Sequence, residues 1–174
     1  MAWLFSRGST QPDGSALYGA IVAEMRRPDW YLKAAVPDSM DGRFAVLSSL
    51  MALADIRLGR GGEEARELAP RLAERFIADM DVQMREAGFS DAGLGKQVRM
   101  MVGSLASRVE RFQYVMDQGP GQQDQAWNEA LVPSLYRGSP PGEAAIEAGA
   151  ALVQSWWQRL GHASDSELVK GQMR

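Results

Sequence analysis

Residues 94–116 read LGKQVRMMVGSLASRVERFQYVM, and this stretch decides the fold class. Its apolar side chains recur every three or four residues, the spacing of one face of an α-helix. They cover roughly 100° of the helix circumference, which is the width of a face that packs on a core. The members of this stripe are Leu94, Val98, Met101, Val102, Leu105, Val109, Phe112 and Met116. We therefore predict a long amphipathic helix over 94–116.

The same spacing recurs along most of the chain, and no run of alternating strand residues or hairpin dipeptides interrupts it. We predict an all-α fold, an irregular single-domain bundle of about six to seven helices. A flexible segment over 1–12 should precede the helical domain over 13–162, and a polar tail over 163–174 should follow it. The further helices are expected over 15–27, 28–35, 41–58, 63–87, 125–131 and 141–160.

Three of these helices carry more specific expectations. The helix over 41–58 is apolar on nearly every side, which places it in the middle of the bundle. Pro70 should kink or break the helix over 63–87. In the last helix Trp156 and Trp157 are adjacent, so only one can face the core; we expect Trp157 there and Trp156 at the surface.

Composition excludes most catalytic chemistry. The 174 residues include no Cys and a single His, His162, so thiolate catalysis, disulfides, nearly all structural zinc sites and Ser-His pairs in the body of the chain are ruled out. The net charge of -3 argues against DNA binding, which needs clustered Lys and Arg. No run approaches the ~18 apolar residues of a membrane span. We expect a cytoplasmic protein that is not an enzyme and uses no cofactor.

Four short motifs stand out. The first, YGAIV, begins at Tyr18, and the second, DGRF, runs from Asp41 to Phe44. The third is the DMD triplet at 79–81, followed by Arg85, and the fourth, DAGLGK, runs over 91–96. None of them is a catalytic signature.

Together these motifs resemble the ubiquinol-cytochrome c chaperone family, whose bacterial and mitochondrial members share a YGAIV…DGRF block and a DMD…VGK block. The resemblance covers about half of the chain and identifies it as a bacterial member. It implies a chaperone for assembly of the respiratory cytochrome bc1 complex. The positions carried across are Tyr18, Asp41, Gly42, Arg43, Phe44, Asp79, Asp81, Arg85, Asp91, Gly93, Gly95, Lys96 and Arg99.

The resemblance also implies partners. These are newly made cytochrome b or another membrane-protein client, a small helical partner protein, and peripheral contact with the inner membrane. The chain departs from the family pattern at 105–108, where Leu-Ala-Ser-Arg replaces an aromatic-Tyr-Gly-Arg segment, and at Pro70 and Pro133. These departures bear on the partner surface more than on the fold.

In the DGRF motif, Asp41 can cap the following helix and Gly42 permits a close backbone approach. Phe44 should enter the core, which leaves Arg43 free to bind a carboxylate of a partner. A helix start without further function also accounts for Asp41 and Phe44.

The DMD triplet does not predict a metal site, because Asp79 and Asp81 point to opposite sides of a helix. We expect Asp81 to pair with Arg85, one helical turn later. Asp79 should reach across the bundle, toward Arg43 or the region of Lys96.

The DAGLGK segment is a candidate anion site. Gly93, Gly95 and the free amides of a helix N-terminus could hold a carboxylate or phosphate beside Lys96. It lacks the spacing of a phosphate-binding P-loop. A loop capped by Asp91 is the alternative interpretation.

The face of the 94–116 helix opposite its apolar stripe carries Lys96, Met100, Gly103 and Tyr114, with Arg99 beside them. Glycine inside a helix costs up to ~1 kcal/mol relative to alanine, so Gly103 suggests close approach by a neighbour. The sequence leaves partner contact and a second internal packing face as alternatives.

The leading hypothesis is a non-catalytic assembly factor that binds an apolar client segment in a groove rimmed by Arg43, Lys96 and Arg99. The alternative is a lipid or small-molecule binding bundle with a pocket among Phe44, Met51, Phe76, Met80 and Met101. The candidate partner-binding residues are Tyr18, Arg43, Arg85, Lys96, Arg99, Met100, Gly103 and Tyr114. The candidate structural residues are Asp41, Gly42, Phe44, Asp79, Asp81, Asp91, Gly93 and Gly95.

Overall fold

A computed structural model describes residues 12–88, 91–119 and 121–173, with residues 91, 92 and 94 described by their backbone alone. Within these ranges the chain forms helices and no strands, so the predicted all-α class is confirmed. In the described ranges there are six long helices and two short ones. Their bounds are α1 Ser15–Met25, α2 Asp29–Leu32, α3 Met40–Gly59, α4 Glu63–Glu86, α5 Asp91–Met116, α6 Gln123–Leu135, α7 Glu143–His162 and α8 Asp165–Val169.

Helix α3 is the centre of the bundle, as its apolar surface predicts. It contacts α1, α4, α5, α6 and α7. Leu50 and Leu53 on this helix are fully buried, and so are the large side chains of Trp30, Phe76 and Phe112 around it. The surrounding helices hold their apolar faces against α3, and this contact fixes their positions.

The start of α3 explains why the DGRF motif contains a glycine. A Cβ atom on Gly42 would lie 1.9 Å from the carbonyl oxygen of Pro37, so only glycine fits. The cap, however, is Ser39, whose hydroxyl accepts the Gly42 N–H at 3.2 Å. The prediction that Asp41 caps this helix is therefore wrong. Asp41 instead forms an exposed ion pair with Arg137, 2.8 Å away.

Helix α4 runs without interruption through Pro70, so, of the predicted kink or break near residues 66–69, the break is wrong. Its buried side chains, among them Leu68, Leu72 and Phe76, follow the helical spacing on both sides of the proline. Packing of this face against α3 stabilises the helix despite the missing backbone donor. The helix ends where expected, at Gly88, which has a φ of 88°.

Helix α5 begins earlier than predicted, and most of its predicted stripe packs against the core: Val98, Met101, Leu105, Val109, Phe112 and Met116. Only the edge of the core-facing side differs from the prediction. Val102, placed in the stripe by its sequence spacing, is 44% exposed. Val115 and Arg108, which lie outside that stripe, are buried, together with Phe112. The edge of the core-facing side of α5 thus includes Arg108 and Val115 rather than Val102.

Helix α7 reverses the expected roles of the two tryptophans. Trp156 is buried and its indole N–H donates to the carbonyl oxygen of Leu50, 3.3 Å away. Trp157 is half-buried, with the guanidinium of Arg60 at 5.6 Å from its ring centroid. The prediction that Trp157 faces the core and Trp156 the surface is therefore wrong.

The C-terminal segment is packed, although it was predicted to be a polar tail over 163–174. Its helix α8 begins at a capping box formed by Ser164 and Glu167, and Leu168 is fully buried. Helix α8 contacts α4 and α1. Apart from residue 12, the predicted flexible segment over 1–12 lies outside the described residues.

Asp165 connects α8 to α3 and to the residue before α4. It accepts the Gly62 N–H at 2.7 Å and forms an ion pair with Arg57 at 2.9 Å. The bond from the Gly62 amide, followed by the Arg57 guanidinium, lowers the pKa of Asp165. Arg57 also donates to the last carbonyl groups of α7, those of Leu160 and Ala163.

We predict that Asp165→Asn lowers the free energy of unfolding by about 1 to 2 kcal/mol, because it weakens a charge-assisted hydrogen bond. Since folding lowers the pKa, the stabilisation is present above the pKa of an unfolded aspartate, about 3.9, and is lost as the pH falls through the lower pKa of the folded state. Urea unfolding of both proteins across this pH range measures the difference. Asp117→Asn, at an exposed position, is the control; equal curves for wild type and Asp165→Asn would contradict the prediction.

Candidate functional site: a methionine-lined groove

A groove of about 770 Å³ lies between α1, the start of α3, α4 and α5. Five of the ten methionines of the chain line it, together with Val22, Phe44 and Leu47. The groove methionines are Met25, Met40, Met80, Met84 and Met101. Met40 is 59% exposed, whereas Met80 and Met84 are almost covered. The groove thus offers an apolar surface built from flexible side chains.

One face of helix α1 forms one wall of the groove. Ser15, Gly19, Val22 and Arg26 follow one another at intervals of three or four residues and all line the groove. Gly19 lies at the middle of this wall, and a Cβ built on it would meet no atom within 4 Å. The missing side chain keeps this part of the groove open.

A partly buried hydrogen-bonded pair joins α1 to α4 at the wall of the groove. The Tyr18 hydroxyl donates to Asp79 at 2.7 Å, and Gln83 donates to the same carboxylate oxygen at 2.8 Å. Burial, followed by the bond to Asp79, raises the pKa of Tyr18. Tyr18 therefore belongs to the wall of the groove. The prediction that Asp79 reaches toward Arg43 or Lys96 is wrong.

Arg26, Arg43 and Arg75 line the groove, together with the acidic residues Asp38, Asp79 and Glu86. Arg43 was predicted to be free, but it pairs with Asp38 at 2.8 Å, and this hydrogen bond raises its pKa. Its side chain is nevertheless 59% exposed. Arg26 and Arg75 form no ion pair in the described part of the chain.

The remaining sequence candidates lie outside the groove. Asp81 and Arg85 form the predicted ion pair, 2.9 Å apart, on the outer side of α4. Lys96 and Arg99 are exposed on the first turns of α5 and do not line the groove. The rim predicted from Arg43, Lys96 and Arg99 is therefore wrong in two of its three members; Arg26 and Arg75 lie there instead.

The DAGLGK segment is helical. Backbone positions from Asp91 onward, including Gly93 and Gly95, belong to the first turns of α5. The alternative interpretation of a capped loop over 91–96 is therefore wrong. Binding of an anion at this helix start remains a prediction.

The outer face of α5 has no covering element among the described residues. Met100 is 57% exposed and Tyr114 is 62% exposed, and a Cβ on Gly103 would meet no atom within 4 Å. A second internal packing face, one of the two alternatives, is therefore wrong for this surface. Contact with a partner remains the prediction.

The residues of the pocket in the alternative hypothesis are divided between the core and the groove. Met51 and Phe76 are buried in the core, whereas Phe44, Met80 and Met101 line the open groove. Within 12–88, 91–119 and 121–173, no group of acidic residues and His could hold a metal ion. Among the same residues, no helix is long and apolar enough to cross a membrane.

Two features of the site were not fully predicted from sequence. Met80 and Met101 were predicted beside Phe44 in the alternative pocket, but Met25, Met40 and Met84 were not, because the groove methionines come from four helices and no spacing within one helix brings them together. Arg108, buried on α5, is the second feature. Arg108 lies three residues after Leu105 and four before Phe112, at the edge of the apolar stripe, but arginine is seldom buried and was not counted as part of that stripe.

An all-α bundle with an apolar groove on its surface has the architecture of a helical binding protein. A model of the family described as ubiquinol-cytochrome C chaperone matches residues 32–174, and the chain belongs to this family. It is similar to the crystal structure of the Cbp3 homolog from Brucella abortus, with a TM-score of 0.72 and 27% identity. The similarity covers 92% of this chain and 87% of that one. A search of curated proteins found no match.

Family membership confirms the resemblance stated from the motifs. It makes the chain a non-catalytic assembly factor with a chaperone role in formation of the cytochrome bc1 complex.

Proposed function

We propose that the methionine-lined groove holds an apolar segment of a membrane-protein client, newly made cytochrome b or another subunit of the complex, until that subunit is assembled. The observation that carries the proposal is the set of five methionines on the groove surface. Methionine side chains are unbranched and polarizable, so they adapt to apolar partners of differing shape. A chaperone that releases its client benefits from such a surface.

The shape of the groove supports an elongated client. It follows α1 for more than two turns, from Ser15 to Arg26. An apolar helix can place its side chains at i, i+3, i+4 and i+7 into such a surface.

The charges at the rim support a segment from a membrane protein. Arg26 and Arg75 have no acidic partner in the described ranges, and Arg43 is largely exposed. These cations can attract the acidic residues or lipid headgroups that flank a transmembrane segment. We accordingly place the protein in the cytoplasm, at the surface of the inner membrane, where such segments emerge.

We assign the outer face of α5 to a second contact, with a small helical partner protein. Lys96, Arg99, Met100, Gly103 and Tyr114 lie along this helix, and exposed Met and Tyr beside Arg are typical of protein interfaces. The bare backbone at Gly103 allows a helix of the partner to approach closely. This contact leaves the groove free for the client.

Site-specific photocrosslinking tests the proposed client site. A photoreactive residue at Gln83, which lines the groove, should crosslink to newly made cytochrome b. The same residue at Val82, exposed on the adjacent face of α4, is the matched control and should not. Equal crosslinking from both positions, or crosslinking from Val82 alone, would contradict the proposal.

A further inference from the structure

A second cleft, of about 540 Å³, lies between α5, the end of α6 and the start of α3. Three arginines line it, Arg108, Arg111 and Arg137, and we call it the arginine cleft. Asp41 is its only acidic residue among the described lining. The cleft therefore carries a surplus of positive charge that the proposed client groove does not use.

Arg108 is the unusual member, because its side chain is buried without a carboxylate. It is 6% exposed, and its guanidinium donates to neutral oxygens: the Ser104 carbonyl at 3.0 Å, the Ser104 hydroxyl, and the Ser134 carbonyl at 2.6 Å. Its Nε–H has no partner. Buried charges are ordinarily paired, so this arginine lacks the counter-charge that its position calls for.

The neighbours of Arg108 increase the imbalance. Burial, and after it the positive charges of Arg111 and Arg137, lower the pKa of Arg108 to about 10. Arg111 forms no ion pair in the described part of the chain. Arg137 pairs with Asp41, but both side chains are more than 60% exposed, so solvent screens this pair.

The backbone holds the third arginine at the cleft. Arg137 has a φ of 51°, a left-handed conformation that non-glycine residues seldom adopt, and Gly138 follows with a φ of 81°. This turn closes α6, with the Gly138 N–H bonded to the Val132 carbonyl at 3.2 Å. Ser107 also lines the cleft and offers a hydroxyl group to a small ligand, while Met100 and Gly103 of the proposed partner face lie at its edge.

We propose that the arginine cleft binds an oxyanion of the phosphate class, contacted by Arg111 and Arg137 and attracted by the buried charge of Arg108. Phosphate oxygens match the planar donor groups of arginine, and a desolvated cation strengthens the attraction. Free inorganic phosphate and the headgroup of an anionic phospholipid present the same chemistry. Its three arginines do not line the client groove, although Phe44 borders both sites.

Binding of inorganic phosphate tests the proposal. Calorimetric titration at constant ionic strength should give saturable binding to wild type, at least fivefold weaker in Arg111→Gln. Arg66→Gln removes an exposed arginine outside the cleft and should leave binding unchanged. Asp41→Asn frees Arg137 from its internal partner and should tighten binding. Arg108 itself is left intact, because its loss could unfold the protein.

A second experiment distinguishes free inorganic phosphate from a phospholipid headgroup as the ligand. Flotation with phosphatidylcholine vesicles, with and without phosphatidylglycerol, measures headgroup binding by the same variants. If Arg111→Gln weakens binding of inorganic phosphate, the ligand is the free ion. If Arg111→Gln weakens flotation with phosphatidylglycerol vesicles, the ligand is the lipid headgroup. An equal effect of Arg111→Gln and Arg66→Gln in both experiments, or no binding in either, would overturn the proposal. Gly19→Trp in the client groove should not alter the result of either experiment, so failure of one site is distinguishable from failure of the other.

Discussion

Gly19→Trp should reduce the capture of newly made cytochrome b at least tenfold while the protein stays folded. Gly19 lies in the α1 wall of the groove, and the space beyond its Cα is open. An indole there would occupy the volume that the client segment needs, and its Cβ would meet no atom of the protein within 4 Å. A tenfold loss corresponds to about 1.4 kcal/mol, less than the burial of one large apolar side chain contributes. Co-purification of pulse-labelled cytochrome b with the tagged protein measures the effect.

Gly19→Ala is the matched control for this substitution. It adds one methyl group and replaces a helical glycine, which should raise the free energy of unfolding by about 0.5 to 1 kcal/mol. Capture of cytochrome b by Gly19→Ala should stay close to that of wild type. If Gly19→Trp, folded by circular dichroism, captures the client as well as Gly19→Ala does, the groove is not the client site.

Gly42→Ala should lower the free energy of unfolding by about 3 kcal/mol, the upper range for overpacking in a tight site. The added methyl would lie 1.9 Å from the Pro37 carbonyl oxygen, and its nearest neighbours are backbone atoms, which cannot rotate away. In a chain of 174 residues this loss corresponds to a fall in Tm of roughly 6 to 12 °C. Urea unfolding and a thermal melt measure it.

Gly103→Ala is the control for Gly42→Ala, because both glycines are helical and only one is crowded. A Cβ on Gly103 meets open space, so this substitution should stabilise the protein by about 0.5 to 1 kcal/mol. Opposite signs for the two substitutions are therefore expected. A stable Gly42→Ala protein would mean that the turn before α3 can move. The close approach to Pro37 would then not explain why the DGRF motif contains a glycine.

The fold was predictable because the helical spacing is strong in α4, α5 and α7, and because the nearly all-apolar surface of α3 marks it as the central helix. What sequence spacing could not fix was the rotation of a helix about its own axis. Val102 and Val115 are both plausible core residues of α5, and only the positions of α3 and α6 decide that Val115 is buried. The same ambiguity explains the exchange of Trp156 and Trp157, which are adjacent and about 100° apart on α7.

Capping was ambiguous for a related reason. Ser39 and Asp41 are both good N-cap residues, and they are two positions apart. The close approach of Gly42 to Pro37 sets the start of α3 at Met40, which makes Ser39 the cap. Asp41 then lies outside the capping position and pairs with Arg137, a residue 96 positions away.

The site was less predictable than the fold, because it is made where helices meet. The motifs led to Arg43, Tyr18 and Asp79, all of which lie at or beside the groove. Lys96 and Arg99 were expected there too. They lie on the first turns of α5, which begins at Asp91, and their side chains are exposed outside the groove. Arg108 was not predicted to be buried, since a buried arginine without an acidic partner contradicts the usual pattern.

Methyl NMR of the methionines, with a synthetic peptide of an apolar cytochrome b segment, tests the central claim most directly. The five groove methionines, Met25, Met40, Met80, Met84 and Met101, should shift on titration. Met51, buried in the core, and Met100, on the outer face of α5, serve as internal references and should not. Shifts confined to Met100, with the groove methyl signals unchanged, would contradict the account.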